Sequence, residues 1–168
     1  TRSGAIADAS FLWWSLRPSI KFPTLELRIA DACTRLDDSL CLAALFRCLV
    51  RLCVRRPDLH AGLDGVSRAL ASENLWRAQH SGVQATLIDE ARGEAVPFAE
   101  ALEAVLSLVA EDADALGCVA DVARARVIVA EGTSADGQIR AFEAALAEGR
   151  DERAALAAAV DWIAGAVR

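Results

Sequence analysis

The sequence predicts an α+β chain in which a pair of neighbouring strands precedes a mostly α-helical region. Three observations carry that reading. Residues 12–17 and 24–30 alternate apolar and polar with period two. Beyond residue 36, apolar side chains recur at helical spacing between N-terminal acids and C-terminal bases or glycines. Alanine and leucine dominate the composition and tyrosine is absent, which adds to the helical bias.

The two strand segments are bounded by serine or proline, with Pro18 and Pro23 fencing the connection. In the second, Leu25, Leu27 and Ile29 share one face while Thr24, Glu26 and Arg28 share the other. In the first, Leu12, Trp14 and Leu16 oppose Trp13, Ser15 and Arg17. The expected product is a strand pair over about 12–30 with one apolar face and one face carrying ionic groups.

The helical region, about 36–168, then unfolds in order. Asp37 and Asp38 open a long run that closes at Arg55, Arg56 and Pro57, the order favoured by the helix dipole and the proline stop. A shorter helix is expected over Glu73–His80, ending near Gly82. Pro97 suits the first turn of the next, with Leu102, Val105, Leu106 and Val109 on its inner face. Further helices are expected over about 113–130, over about 135–148, and from Asp151 to the C-terminus. Thr133 and Asp136 have the spacing of a capping box. Gly132-Thr133-Ser134 ahead of that helix also suits an anion held by free backbone N–H groups, but capping accounts for it more simply. Trp76 is expected in the core, with a stacking role on adenine as the alternative, and Trp162 anchors alanine-rich C-terminal helices that read as either packing or subunit-contact surface.

The whole is expected to form a single unit over residues 1–168, since 168 residues suit one domain. The chain contains no methionine, so it reads as a piece of something longer. Net charge is −6, unevenly spread: residues 1–56 hold nine Lys/Arg against five Asp/Glu, and the remainder nine against nineteen. An acidic total argues against a general nucleic-acid binder. A basic N-terminal third suits a small anion such as a nucleotide phosphate. Cys33, Cys41, Cys48, Cys53 and Cys118 are odd in number and include no C-x-x-C pair, so neither a disulfide framework nor a zinc site is indicated. Reduced core thiols point to a cytoplasmic protein. The longest apolar stretch, Leu36 to Val54, is broken by Asp37, Asp38, Arg47 and Arg51 and is not expected to enter a membrane.

Glu26 and Arg28, two apart on a strand, emerge from the same side of the sheet. Carboxylate oxygens suit magnesium, and a guanidinium fork matches phosphate oxygens. On those two residues alone, an ordinary ion pair is the simpler account. The wider string alters that balance. Trp14, Arg17-Pro18-Ser19, Phe22, Thr24, Glu26, Arg28 and Asp31 stand in unbroken register, reading W-x-x-R-P-S, F-x-T-L-E-L-R and then Asp. This resembles the signature of the type 2 glutamate–cysteine ligase family, the carboxylate–amine ligases. Looser agreement follows at Glu73-Asn74, Trp76, Ala78 and Gly82, similar to the family's E-N-x-W-x-A-x-R-x-G, and at Gly132-Thr133-Ser134-Ala135. Ser15 stands where the family has Asp, and His80 where it has Arg.

The resemblance implies ATP- and magnesium-dependent ligation of a carboxylate, the γ-carboxylate of glutamate, to an amine such as that of cysteine through an acyl phosphate. It implies an antiparallel active-site sheet like the core of glutamine synthetase. Glu26 would then be a magnesium ligand, Arg28 a catalytic contact to the nucleotide phosphates, and Arg17 a contact to the substrate carboxylate or phosphate. For Arg17 the alternative is a loop anchor through backbone carbonyls. The family's G-x-E-x-E strand is not found in these residues, so the chain alone is expected to be inactive. It should pair with that N-terminal half or form a homo-oligomer. The rival reading is a non-catalytic helical interaction module that retains the ligase scaffold.

Overall fold

A computed structural model describes residues 4–167 of the chain. These fall into two compact units, Thr1–Ala32 and Cys33–Arg168, divided between the expected strand pair and the expected helical region. The result is α+β, mostly helical, with two small antiparallel sheets.

The first unit contains β1 (Leu16–Pro18) and β2 (Leu25–Leu27). They pair antiparallel with Leu16 opposite Leu27, Arg17 opposite Glu26 and Pro18 opposite Leu25. Both are shorter than the alternation suggested. Pro18 has no N–H to continue the ladder. Backbone bonds from Ser19 to Thr24 (2.9 Å) and from Arg28 to Ser15 (2.8 Å) extend the pairing on either side. Alternation fixes which side chains share a face, and the register keeps the expected assignment. Covering differs from what hydrophobicity alone suggests. Arg17, Glu26 and Arg28 are partly covered, as are Leu12 and Leu27, whereas Trp14, Leu16, Leu25 and Ile29 are exposed.

The second unit is built on α1 (Leu36–Arg55). Cys41, Ala44, Cys48 and Leu52 follow one another at three- and four-residue steps, placing them on one face. That face packs against α3 (Phe98–Leu108), α4 (Ala110–Ala115) and α5 (Val119–Glu131) through Leu106, Val109, Ala113, Cys118, Val122 and Ala125. The Cys48 and Cys118 sulfurs meet at 3.6 Å, and burial pushes the Cys48 thiol up to about 11. The expected single helix over 113–130 is interrupted at Leu116-Gly117-Cys118. Gly117 takes φ 64°, a conformation in which other residues are strained, and this ends α4 before α5 starts.

Between α1 and α3 lie α2 (Gly65–Ser81), β3 (Thr86–Asp89) and β4 (Glu94–Pro97). Two corrections belong here. The helix expected over Glu73–His80 begins earlier, because Asp64 caps it by accepting the N–H groups of Val66 (2.7 Å) and Ser67 (3.1 Å). The β3–β4 hairpin occupies a stretch that had been expected to contain no strands. Its signal was the polar Glu90–Gly93 turn, in which Gly93 takes φ 68°. Asn74 of α2 fixes β3 with two bonds, accepting Ile88 N–H at 2.7 Å and donating to Ile88 C=O at 2.9 Å.

The remaining helices are α6 (Ser134–Ala147) and α7 (Glu152–Ala166), antiparallel partners. Arg168, the end of the expected last helix, lies outside the described residues. Their seam is made of small residues, with Gly137, Ala145 and Ala155 all buried. Trp162 lies flat against Gly137, so that a Cβ added there would sit 2.0 Å from the indole. Among the described residues, no helix is long and apolar enough to cross a membrane.

Two outcomes follow from this packing. Gly137→Ala gains about 1 kcal/mol of helix propensity. It also drives a methyl into a rigid ring, an overpacking cost of about 3 kcal/mol at the upper end of the usual range. Clash wins, and denaturant unfolding should show a net loss of about 2 kcal/mol, relieved by adding Trp162→Leu. The second outcome concerns Asp112, which is fully buried and accepts from Arg55 Nη2 at 2.8 Å and from Arg51. The Arg55 hydrogen bond, opposed by burial and aided by Arg51, holds its carboxyl below the usual range. A depressed folded value stabilises the protein above the unfolded value, about 3.9, and that contribution disappears as pH falls through the folded value. Melting temperatures of Asp112→Asn should be lower at neutral pH and should fall less steeply below pH ~4 than those of the parent.

Candidate functional site

The β1–β2 hairpin gathers three ionic side chains on one face. Arg17 and Glu26 are cross-strand partners, so their Cβ atoms project together. Arg28 lies two residues beyond Glu26 and points to the same side. Glu26 is the hub. Its Oε2 accepts from Arg17 Nε at 2.7 Å, and its Oε1 lies 3.3 Å from Arg28 Nη1.

The two arginines are held differently. Arg17 is the more covered, with its side chain 16% exposed against 25% for Arg28. Its Nη1 also donates to the carbonyls of Ser10 and Leu12 (3.2 Å), tying the preceding loop to the strand. The loop-anchor geometry weighed from sequence is therefore present, and it leaves Nη2 outside these bonds. Arg28 is less engaged. Besides its long contact to Glu26, its guanidinium carbon sits 5.0 Å over the centre of the Trp13 ring. Nε and Nη2 of Arg28 have no hydrogen-bond partner among the described residues.

This arrangement can bind an oxyanion. Two guanidiniums flank one carboxylate, and each retains N–H donors in its plane. A magnesium ion fits the carboxylate in part: Oε2 is bound by Arg17, while Oε1 is held only by the longer contact. Among the described residues no group of three or more His, Cys, Asp or Glu stands together. Glu26 would thus supply one position of an octahedral oxygen shell.

Other sequence motifs take structural places. Thr133 N–H and hydroxyl both donate to Asp136 Oδ2, at 2.6 and 2.8 Å, so the α6 N-terminus carries its own carboxylate. Glu73 binds Arg77 at 2.8 Å, and Arg77 reaches Thr86. Trp76 corrects the expectation of a core residue. It is 56% exposed and stacks on His80, with centroids 5.1 Å apart and planes 10° apart, because α2 buries its Asn74 side against β3 and leaves this side outward. The depression of about 780 Å³ lined by Arg35, Asp37, Arg124, Glu131 and Trp162 is rich in charge. Its arginines are already paired, Arg35 with Glu131 at 2.7 Å and Arg124 with Asp38 at 2.9 Å.

Comparison with known proteins bears on the hairpin motif. The model of glutamate–cysteine ligase family 2 (GCS2) matches residues 1–159. The chain belongs to that family. A relative from Rhodospirillum rubrum is 50% identical over 161 residues, which is 96% of this chain and 41% of the relative. Relatives from Bradyrhizobium diazoefficiens and Jannaschia sp. are 44% and 43% identical, covering 97% and 94% of this chain and 36% and 42% of their own lengths. Each carries the name "putative glutamate–cysteine ligase 2". The chain thus spans about two-fifths of the length of these relatives. Within this chain the hairpin gathers three of the signature's charged residues, Arg17, Glu26 and Arg28, on one face, while Asp31 lies beyond β2 and accepts from Ala32 N–H.

Proposed function

We propose that this chain is the C-terminal part of a family 2 ligase domain that, when intact, ligates the γ-carboxylate of glutamate to an amine such as that of cysteine, using ATP and magnesium. Family membership and the relatives' names support a glutamate–cysteine ligase-like enzyme. The observation that carries the residue assignment is the Arg17–Glu26–Arg28 constellation on one hairpin face. In this reading the hairpin is part of a glutamine-synthetase-like antiparallel sheet.

The geometry supports the following roles. Arg28, with Nε and Nη2 unused, binds the nucleotide phosphates and neutralises charge that develops on the transferred phosphoryl group. Arg17 orients Glu26 through Nε and keeps the Ser10–Leu12 loop in place, while Nη2 faces the substrate carboxylate or phosphate. Glu26 would be the residue of this chain to hold magnesium, Oε1 being its less engaged oxygen. When bound, the ion supplies charge neutralisation at the phosphates and orients them for in-line transfer. The substrate carboxylate attacks the γ-phosphoryl group, giving an acyl phosphate and ADP; the amine then displaces phosphate to leave an amide. Since Glu26 supplies one of several oxygens, further ligands come from outside these residues, and the chain by itself is inactive. The expected setting is cytoplasmic.

A second reading, a non-catalytic interaction module, draws support from the same site. Both Glu26 oxygens already face arginines, as in a purely structural ion triad. Turnover separates the two. In the full-length protein, Glu26→Gln should abolish glutamate-dependent phosphate release from ATP with the melting temperature nearly unchanged, because the amide keeps the size but not the charge. Arg28→Lys keeps the charge and loses the fork, and its rate should fall about tenfold, equivalent to about 1.4 kcal/mol. Full magnesium-dependent turnover in Glu26→Gln would leave the triad a structural one.

A further inference from the structure

Trp13 lies outside the family signature, which begins at Trp14. It is 83% exposed, a large apolar side chain left in solvent, so burial does not explain its position. What it contacts is Arg28, whose guanidinium carbon stands 5.0 Å over the ring centre. Trp13 precedes β1, in the segment that leads into the strand, and its ring face meets the Arg28 guanidinium beside the ionic face of the hairpin.

We propose that Trp13 is a positioning residue that holds the Arg28 fork ready for phosphate oxygens, an inference that rests on the reading of Arg28 as a phosphate contact. The argument is one of donor economy. A hydrogen-bonding partner fixes a guanidinium by occupying its N–H groups, as the carbonyls of Ser10 and Leu12 do for Arg17. A ring face attracts the cation from above the plane and leaves the in-plane donors untouched. Arg28 thus loses rotamer freedom before an anion arrives, while Nε and Nη2, without a partner among the described residues, remain available for a bidentate contact. The ligand class is a polyphosphate chain. Trp13 itself touches Arg28 and not the anion.

The test uses the full-length protein with inorganic tripolyphosphate as probe, measured calorimetrically, together with the KM for ATP. Trp13→Leu should weaken tripolyphosphate binding and raise that KM about two- to fivefold, the size of an exposed cation–π contact, with kcat little changed. Trp13→Phe keeps a ring face and should restore most of the affinity. In an Arg28→Gln background, Trp13→Leu should have no further effect, since its role runs through Arg28. An unchanged affinity in Trp13→Leu, an equal loss in the Arg28→Gln background, or no tripolyphosphate binding by the parent would each overturn the proposal. The two readings fail separately. Coupled loss of tripolyphosphate binding in a protein that makes no amide would sink the ligase reading alone. Glutamate-dependent turnover with no effect of Trp13→Leu would sink this one alone.

Discussion

Glu26 sits between two guanidiniums, and its side-chain oxygens accept the bond that joins the two strands of the hairpin at their central pair. A pair of three-residue strands is a weak element by itself, with few backbone bonds to resist fraying. The bond from Arg17 to Glu26 links the strands across the ladder at their central pair, and the remaining donors of Arg17 tie in the Ser10–Leu12 loop. Arg28 completes the arrangement from the same strand as Glu26. The same acid is the group best suited to a metal. In the proposed reading this acid is also the magnesium ligand, so a structural bond and the chemistry would meet at one side chain.

The helical unit uses a related device for a different end. Asp112 is fully buried at the start of α4 and is held by Arg51 and Arg55 of α1, while Glu111 meets Arg55 from the exposed side. A charge taken wholly out of water is tolerated only with such partners. The network fixes how α4 sits on α1 above the Cys48–Cys118 contact. Its arginines hold their carboxylate at 2.8 Å or less, whereas the Arg28–Glu26 contact on the hairpin is longer, at 3.3 Å.

Much of this was legible in the sequence because it obeys local rules. Period-two alternation gave the hairpin faces, and the ordered acids and bases of residues 37–56 gave the limits of α1 closely. Thr133 and Asp136 formed the capping box that their spacing indicated. The misses have physical causes. The β3–β4 hairpin is short and is held by Asn74, a contact between residues fourteen apart that periodicity does not report. Helix α2 was under-read at its start because Asp64 caps it at Gly65, a residue of poor helix propensity. Trp76 was assigned to the core on its size, but the core needed α1, α3, α4 and α5, and the indole stacked on His80 instead. At the site itself, the sharing of one face by Arg17, Glu26 and Arg28 was readable from spacing. The unequal engagement of the two arginines was not, because it depends on the Ser10–Leu12 carbonyls and on the Trp13 ring.

The central claim is that Glu26 holds the metal when nucleotide binds. The most direct measurement is anomalous diffraction from crystals of the full-length protein grown with manganese, in place of magnesium, and a non-hydrolysable ATP analogue. The account predicts an anomalous peak within metal-ligand distance of Glu26 Oε1, about 2.1 Å, with Arg28 turned from Glu26 toward a phosphate oxygen. Manganese bound beside the nucleotide but away from Glu26, with the Arg17–Glu26–Arg28 triad intact, would contradict it.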